Sequence, residues 1–127
     1  MIALETTFLV DYLNGESATR DFLEPRAEQP FYSPSLALFE AYRGAEHAAG
    51  REGVEQVSDA LAWIDPLALT GPAAFEAATL ENELLSKGTP INLRDVLIAA
   101  VCRHYGARLV TRDADFENVN GLETIGY

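Results

Sequence analysis

The chain has 127 residues, 48% hydrophobic and 9% aromatic, a composition that fits an ordinary soluble globular protein and excludes a disordered or fibrous one. Twenty Asp and Glu face nine Lys and Arg, for a formal charge of −11, and Lys87 is the sole lysine. That balance excludes nucleic-acid recognition by a broad basic face; it fits a salt-rich cytoplasm that screens self-repulsion, or equally a basic protein partner.

Neither repeats nor low-complexity tracts divide the chain, so residues 1–127 read as a single domain. With one cysteine, Cys102, an internal disulfide is impossible, and its place in the run VLIAAVC points to a buried, inert thiol. The apolar stretch at the N-terminus has no basic segment before it and is interrupted by Glu5, unlike a secretion signal. Since no apolar run reaches the roughly 18–20 residues of a membrane span, a cytoplasmic protein is expected.

Taken in order, Met1–Leu4 reads as a short buried strand, followed by a helix through Leu13 capped by Thr6 or Thr7 and ended by Asn14-Gly15. A second helix is expected over Ser17–Leu23 and a second strand over Gln29–Ser33. Ser33 or Ser35 then caps a helix to about Ala49, with a separate helix over roughly Val54–Trp63. Ile64–Leu67 is a third strand, weakened by Pro66. Thr70-Gly71-Pro72 opens a long helix with apolar residues at Ala73, Ala77, Leu80 and Leu84, stopped by Gly88. Asn92 caps a helix to Tyr105 before Gly106; Arg108–Val110 is a strand, and Leu122–Ile125 the last candidate. Strands alternating with helices predict an α/β protein, a three-layer α/β/α sandwich around a central parallel sheet of four to five strands. Ligands of such sheets gather at the carboxyl ends of the strands.

Several carboxylates stand where that architecture would bring them together. Glu5 ends the first strand, and Glu40 interrupts the apolar run of SPSLALFEAYRG after the second. Asp95 opens the apolar helix INLRDVLIAAVC, and Asp113 and Asp115 follow the strand in LVTRDADF. Each has a plain structural reading. Glu5 can be an acid at a strand end, and Glu40 part of a solvated face beside Arg43. Asp95 can be the third residue of a capping box begun by Asn92, and Asp115 the cap of a short turn. Together, however, like charges at one sheet edge raise one another's pKa and call for a counter-charge. Only Arg94 and Arg112 lie close in sequence, so a hard divalent cation, Mg²⁺ or Mn²⁺, is the natural complement to all-oxygen ligands. His47 and His104 offer no competing site: no Cys/His spacing suggests zinc, and no glycine-rich loop suggests a nucleotide. A phospho-acceptor domain would want a lysine after a late strand, whereas Lys87 follows a helix.

Three blocks in order, ALETTFLVDYLNG, SPSLALFEAYRG and NLRDVLIAAVCRHYGARLVTRDADFENV, resemble the PIN-domain ribonucleases, specifically the VapC-type toxins of toxin–antitoxin pairs. The resemblance implies a metal-dependent endoribonuclease that hydrolyses RNA phosphodiesters through a metal-activated water. It implies Glu5, Glu40, Asp95 and Asp113 as the catalytic carboxylates, with Glu5, Asp95, Asp113 and Asp115 as metal ligands. Thr7 and Thr111 would support them by donating hydrogen bonds. A cognate antitoxin and a homodimer are the implied protein partners. The chain departs from the pattern at Glu5, where the family's first block has Asp. One added methylene moves the carboxylate by about 1.5 Å, large against metal–ligand distances held to a few tenths of an ångström. Reduced metal binding or nuclease activity is therefore expected, and a catalytically inactive, PIN-like binding partner is the alternative.

Overall fold

The computed structural model describes residues 1–127. Its centre is the three-residue strand β1 (Ile2–Leu4), whose side chains are all buried. A central parallel strand covered on both faces demands this continuous apolar run. Strands β2 (Phe31–Pro34), β3 (Ile64–Leu67), β4 (Arg108–Val110) and β5 (Thr124–Ile125) complete a five-stranded sheet in the order β3-β2-β1-β4-β5. Every pairing is parallel; Ala3 stands opposite Tyr32 on one side and Leu109 on the other. Pro66, which has no N–H to donate, is tolerated because β3 lies at the sheet edge.

Five helices connect the strands: α1 (Thr6–Leu13), α2 (Ser17–Leu23), α3 (Ser35–Ala60), α4 (Gly71–Lys87) and α5 (Leu93–Tyr105). The chain steps outward from β1 to β2 and β3, then returns to add β4 and β5 on the other side. Right-handed crossovers consequently put α1–α3 on one face and α4 and α5 on the other, giving the expected three layers. The order reverses at β1, so the crevice at the carboxyl ends of β1 and β4 is the topological switch point.

Several element ends follow local chemistry. The Thr70 side chain accepts from the Ala73 N–H and that of Asn92 from the Asp95 N–H, while Gly88 and Gly106 close their helices at φ 72° and 70°. Two expectations about caps need correction. Helix α1 is capped by neither threonine but by Glu5, whose side chain accepts from the Thr7 N–H. Neither Ser33 nor Ser35 caps α3; their hydroxyls donate to the Leu4 and Leu67 carbonyls at 2.8 and 3.2 Å, fastening neighbouring strand ends. The two helices expected over residues 35–63 are both present within α3: they meet at Gly50, whose non-helical φ 64° and ψ −156° suit only glycine, and the second ends at Ala60.

The core joins β1, β4 and the buried residues of α5, Val96 and Ile98–Cys102, to Phe8, Leu9, Leu80 and Leu84. Phe8 packs edge-on against Phe22 and Tyr127, with ring centroids 5.7 and 4.8 Å apart. Cys102 is buried as expected, and burial pushes its thiol up to about 12. Arg103, just behind it, binds Glu76 and Glu83 of α4 at 2.6 and 2.9 Å and so ties α4 to α5. No helix is long and apolar enough to cross a membrane.

Candidate functional site

The switch-point crevice is lined by the acids singled out in the sequence. Glu5 leaves the end of β1 and turns straight into α1, and its residue is only 5% exposed. One carboxylate oxygen, Oε2, accepts from the Thr7 N–H and the Thr111 hydroxyl, each at 3.3 Å. These long bonds do not offset the loss of water. Burial above all, and then the charge of Asp95, pushes the Glu5 carboxyl up from 4.5 to about 7. Thr111 also accepts from the Asp113 N–H at 3.0 Å, so one hydroxyl links the ends of β1 and β4.

Asp95 stands in the first turn of α5. The Asn92 amide donates to its Oδ2 at 2.7 Å while accepting from its backbone N–H at 3.0 Å, a capping arrangement closed through side chains. Burial, followed by the charges of Asp113, Glu40 and Asp115, raises the Asp95 carboxyl above its ordinary value. Asp95 is therefore the point at which the acids meet: Asp113, Glu40 and Asp115 act on it, and it in turn acts on Glu5.

Glu40 lies in the second turn of α3 and reaches across to two other elements. The Thr6 hydroxyl donates to its Oε1 at 2.8 Å, and Arg94 of α5 approaches its Oε2 at 3.1 Å. The ion-pair partner is thus Arg94 and not the neighbouring Arg43, which instead lies over the Phe39 ring. Sequence reasoning passed over Thr6 because its target lies on another helix, where no local motif announces it. Thr7 contributes its backbone N–H to Glu5.

Asp113 is exposed and caps the 3-10 turn Ala114–Asn118, its Oδ1 accepting from the Asp115 N–H at 2.9 Å. Asp113, not Asp115, is hence the cap; Asp115 remains exposed at the rim. Arg112 is turned away from these acids: it pairs with Asp11 at 3.5 Å, donates to the Tyr127 carbonyl at 3.1 Å and stacks on the Tyr127 ring. A cavity of about 360 Å³ adjoins the acids, walled by Thr111, Arg112, Asp113, Thr124 and Tyr127. An open groove of about 600 Å³ lies elsewhere, between α1, α2 and the start of β2, lined by Tyr12, Thr19, Leu23, Phe31 and Trp63.

Glu5, Glu40, Asp95, Asp113 and Asp115 thus share one edge and influence one another, yet no three of them stand close enough to chelate an ion directly. The donor set still suits a hard divalent cation: every group is a carboxylate oxygen, and one is buried without a cationic partner.

A sequence model of the PIN domain matches residues 2–122. The chain belongs to the PIN-domain family. This PIN domain superposes on VapBC2 from Rickettsia felis, solved with a fragment of its promoter DNA, with a TM-score of 0.89 at 25% identity over 99% of this chain and 98% of that one. It superposes on DNA-bound VapBC from Salmonella typhimurium at 0.87 and 24% identity, with the same coverage. VapC20 of Mycobacterium tuberculosis, a toxin that cleaves the sarcin-ricin loop, aligns at 0.67 and 18% identity over 92% of this chain and 93% of that one. No curated protein sequence is similar to this PIN domain at a significant level.

Proposed function

We propose that this PIN domain is a divalent-metal-dependent endoribonuclease, the toxin of a toxin–antitoxin pair. The observation that carries the reading is the convergence of Glu5, Glu40, Asp95 and Asp113 on the switch point, with Asp95 coupled to Glu5 on one side and to Glu40 and Asp113 on the other. The structural likeness to VapBC complexes and to VapC20, itself an RNA-cleaving toxin, supports the same conclusion.

Glu5, Asp95 and Asp113 would hold the ion, Mg²⁺ or Mn²⁺, with Asp115 assisting from the rim and Glu40 completing the acidic wall. Bound there, the ion supplies Lewis-acid chemistry, offsetting phosphate charge and making water a competent nucleophile near neutral pH. The chain's own groups prepare the site. Thr111 and the Thr7 N–H fix one oxygen of Glu5, Asn92 fixes one of Asp95, and Thr6 and Arg94 fix Glu40. Water adds to phosphorus, one ester oxygen leaves and takes up a proton, and no covalent intermediate with the protein is needed. Glu5 in place of the shorter Asp weakens the site twice over. Its reach is longer, and its carboxyl keeps its proton up to about pH 7, whereas ligation requires the deprotonated form.

A cognate antitoxin with a basic segment complements the chain's −11 charge. The exposed apolar side chains of Phe75, Leu85 and Leu93 favour a homodimer, and its place of action is proposed to be the cytoplasm.

A non-catalytic, PIN-like binding partner is the second reading, favoured by the absence of any three acids within chelating distance. Cleavage of single-stranded RNA by the full chain and by Asp95→Asn, in Mn²⁺ and in chelator, separates the two. Metal-dependent cleavage that falls by about 100-fold or more in Asp95→Asn supports the nuclease. No cleavage by either protein, in any metal, selects the binding partner.

A further inference from the structure

Arg94 is the one cation that forms an ion pair with these acids. Of the chain's nine Lys and Arg, the others that form ion pairs do so with acids outside this edge, as with Arg20–Glu24, Arg51–Glu55, Arg103–Glu76 and Arg112–Asp11. Arg94 sits in the first turn of α5, immediately before Asp95, with its Nη1 3.1 Å from the Glu40 Oε2. Its side chain is 52% exposed, against 14% for that of Glu40, so the guanidinium is the outer, solvent-accessible partner of the pair. The guanidinium forms no second ion pair, and its exposure leaves part of a rigid planar fork open to solvent.

A guanidinium in that setting matches the geometry of a phosphate better than that of a single carboxylate oxygen. We propose that Arg94 is the phosphate-gripping residue of the site: it holds Glu40 while the crevice is empty of substrate and transfers its donors to an RNA phosphate entering beside Asp95. An acidic protein thereby meets a polyanion at one chosen point, and Glu40 is released toward a cation as the phosphate arrives. The inference rests on the nuclease reading only for the identity of the polymer.

The test uses the full chain, its Arg94→Gln and Arg94→Lys variants, and Arg51→Gln as a control that removes a charge well along α3. Binding of a fluorescent single-stranded RNA in Mn²⁺ is read by stopped-flow anisotropy, before cleavage, across a salt series. Mn²⁺ affinity without RNA is read separately by electron paramagnetic resonance. Arg94→Gln should weaken RNA binding by roughly tenfold or more and flatten the log–log salt slope by about 0.7, the value for one lost phosphate contact on a single strand. Arg94→Lys should restore the slope but only part of the affinity, while Arg51→Gln changes neither. Mn²⁺ affinity in Arg94→Gln should hold or rise, because a competing cation has gone from Glu40.

A slope no different from the Arg51→Gln control overturns the proposal. So does a fall in Mn²⁺ affinity parallel to the fall in RNA binding, which would make Arg94 only an anchor for Glu40. Failure of the parent chain to bind RNA overturns both this assignment and the nuclease reading. RNA binding with the expected slopes, but no cleavage, overturns the nuclease reading alone.

Discussion

Replacing Glu5 with Gln removes a charge from the most buried of the acids and should stabilise the metal-free protein at alkaline pH. In the folded chain the Glu5 carboxyl is pushed up from 4.5 to about 7, chiefly by burial. The folded state therefore keeps a proton that the unfolded state has released. Stability from this group is greatest below about pH 4.5, falls as pH rises through about 7, and levels off above that. At about 1.4 kcal/mol for each tenfold, the full difference is about 3 kcal/mol. Gln keeps the shape and stays neutral, so it mimics the protonated acid at every pH. Urea unfolding in chelator at matched salt should show Glu5→Gln gaining on the parent by about 2–3 kcal/mol between about pH 5 and pH 8.5. Subtracting the two profiles removes the part of the Asp95 contribution, of the same sign, that does not depend on the Glu5 charge. Added Mn²⁺ should then raise the stability of the parent more than that of Glu5→Gln at alkaline pH. Parallel pH profiles for the two proteins would refute the burial argument.

Thr111→Val removes the hydroxyl that donates to Glu5 and accepts from the Asp113 N–H, and should cost about 1 kcal/mol. It should also raise the Glu5 carboxyl further, moving the onset of Mn²⁺ binding to higher pH; an unmoved onset would remove Thr111 from the site. Asn92→Ala deletes both contacts to Asp95 and should cost about 1 kcal/mol in chemical unfolding. The Asp95 carboxyl resonance should then titrate at higher pH than in the parent. Arg103→Ala breaks the ties to Glu76, Glu83 and the Asn120 carbonyl and should cost about 2 kcal/mol, leaving α4 more open to hydrogen exchange. A loss below about 0.5 kcal/mol would show that apolar packing alone joins α4 to α5.

The fold was legible where its signals were local. Apolar runs marked β1 and β4, the Thr70 and Asn92 caps marked the starts of α4 and α5, and Gly88 and Gly106 marked their ends. Where two neighbouring residues offered the same chemistry, the pattern could not choose between them. Asp113 rather than Asp115 caps its turn, and Glu5 rather than Thr6 or Thr7 caps α1 because the longer acid still reaches the Thr7 N–H. Ser33 and Ser35 looked like caps, but adjacent strand ends drew their hydroxyls to the Leu4 and Leu67 carbonyls. The candidate site divides in the same way. Its acids could be chosen because each follows a strand or opens a buried helix, so topology alone carries them to one edge. Their partners could not, since the contacts of Glu40 with Thr6 and Arg94 join three different helices. The turning of Arg112 toward Asp11 and Tyr127 is likewise visible only once the ends of the fold are brought together.

The most direct test of the central claim is cleavage of single-stranded RNA by the purified chain beside its Glu5→Asp variant, at matched salt, in Mn²⁺ and in chelator. Metal-dependent cutting that is stronger in the Asp form, by on the order of 100-fold, is the result predicted from a carboxylate displaced by one methylene in a cation-holding site. Cutting that persists in chelator, or an Asp form as inert as the parent in every metal, would contradict it.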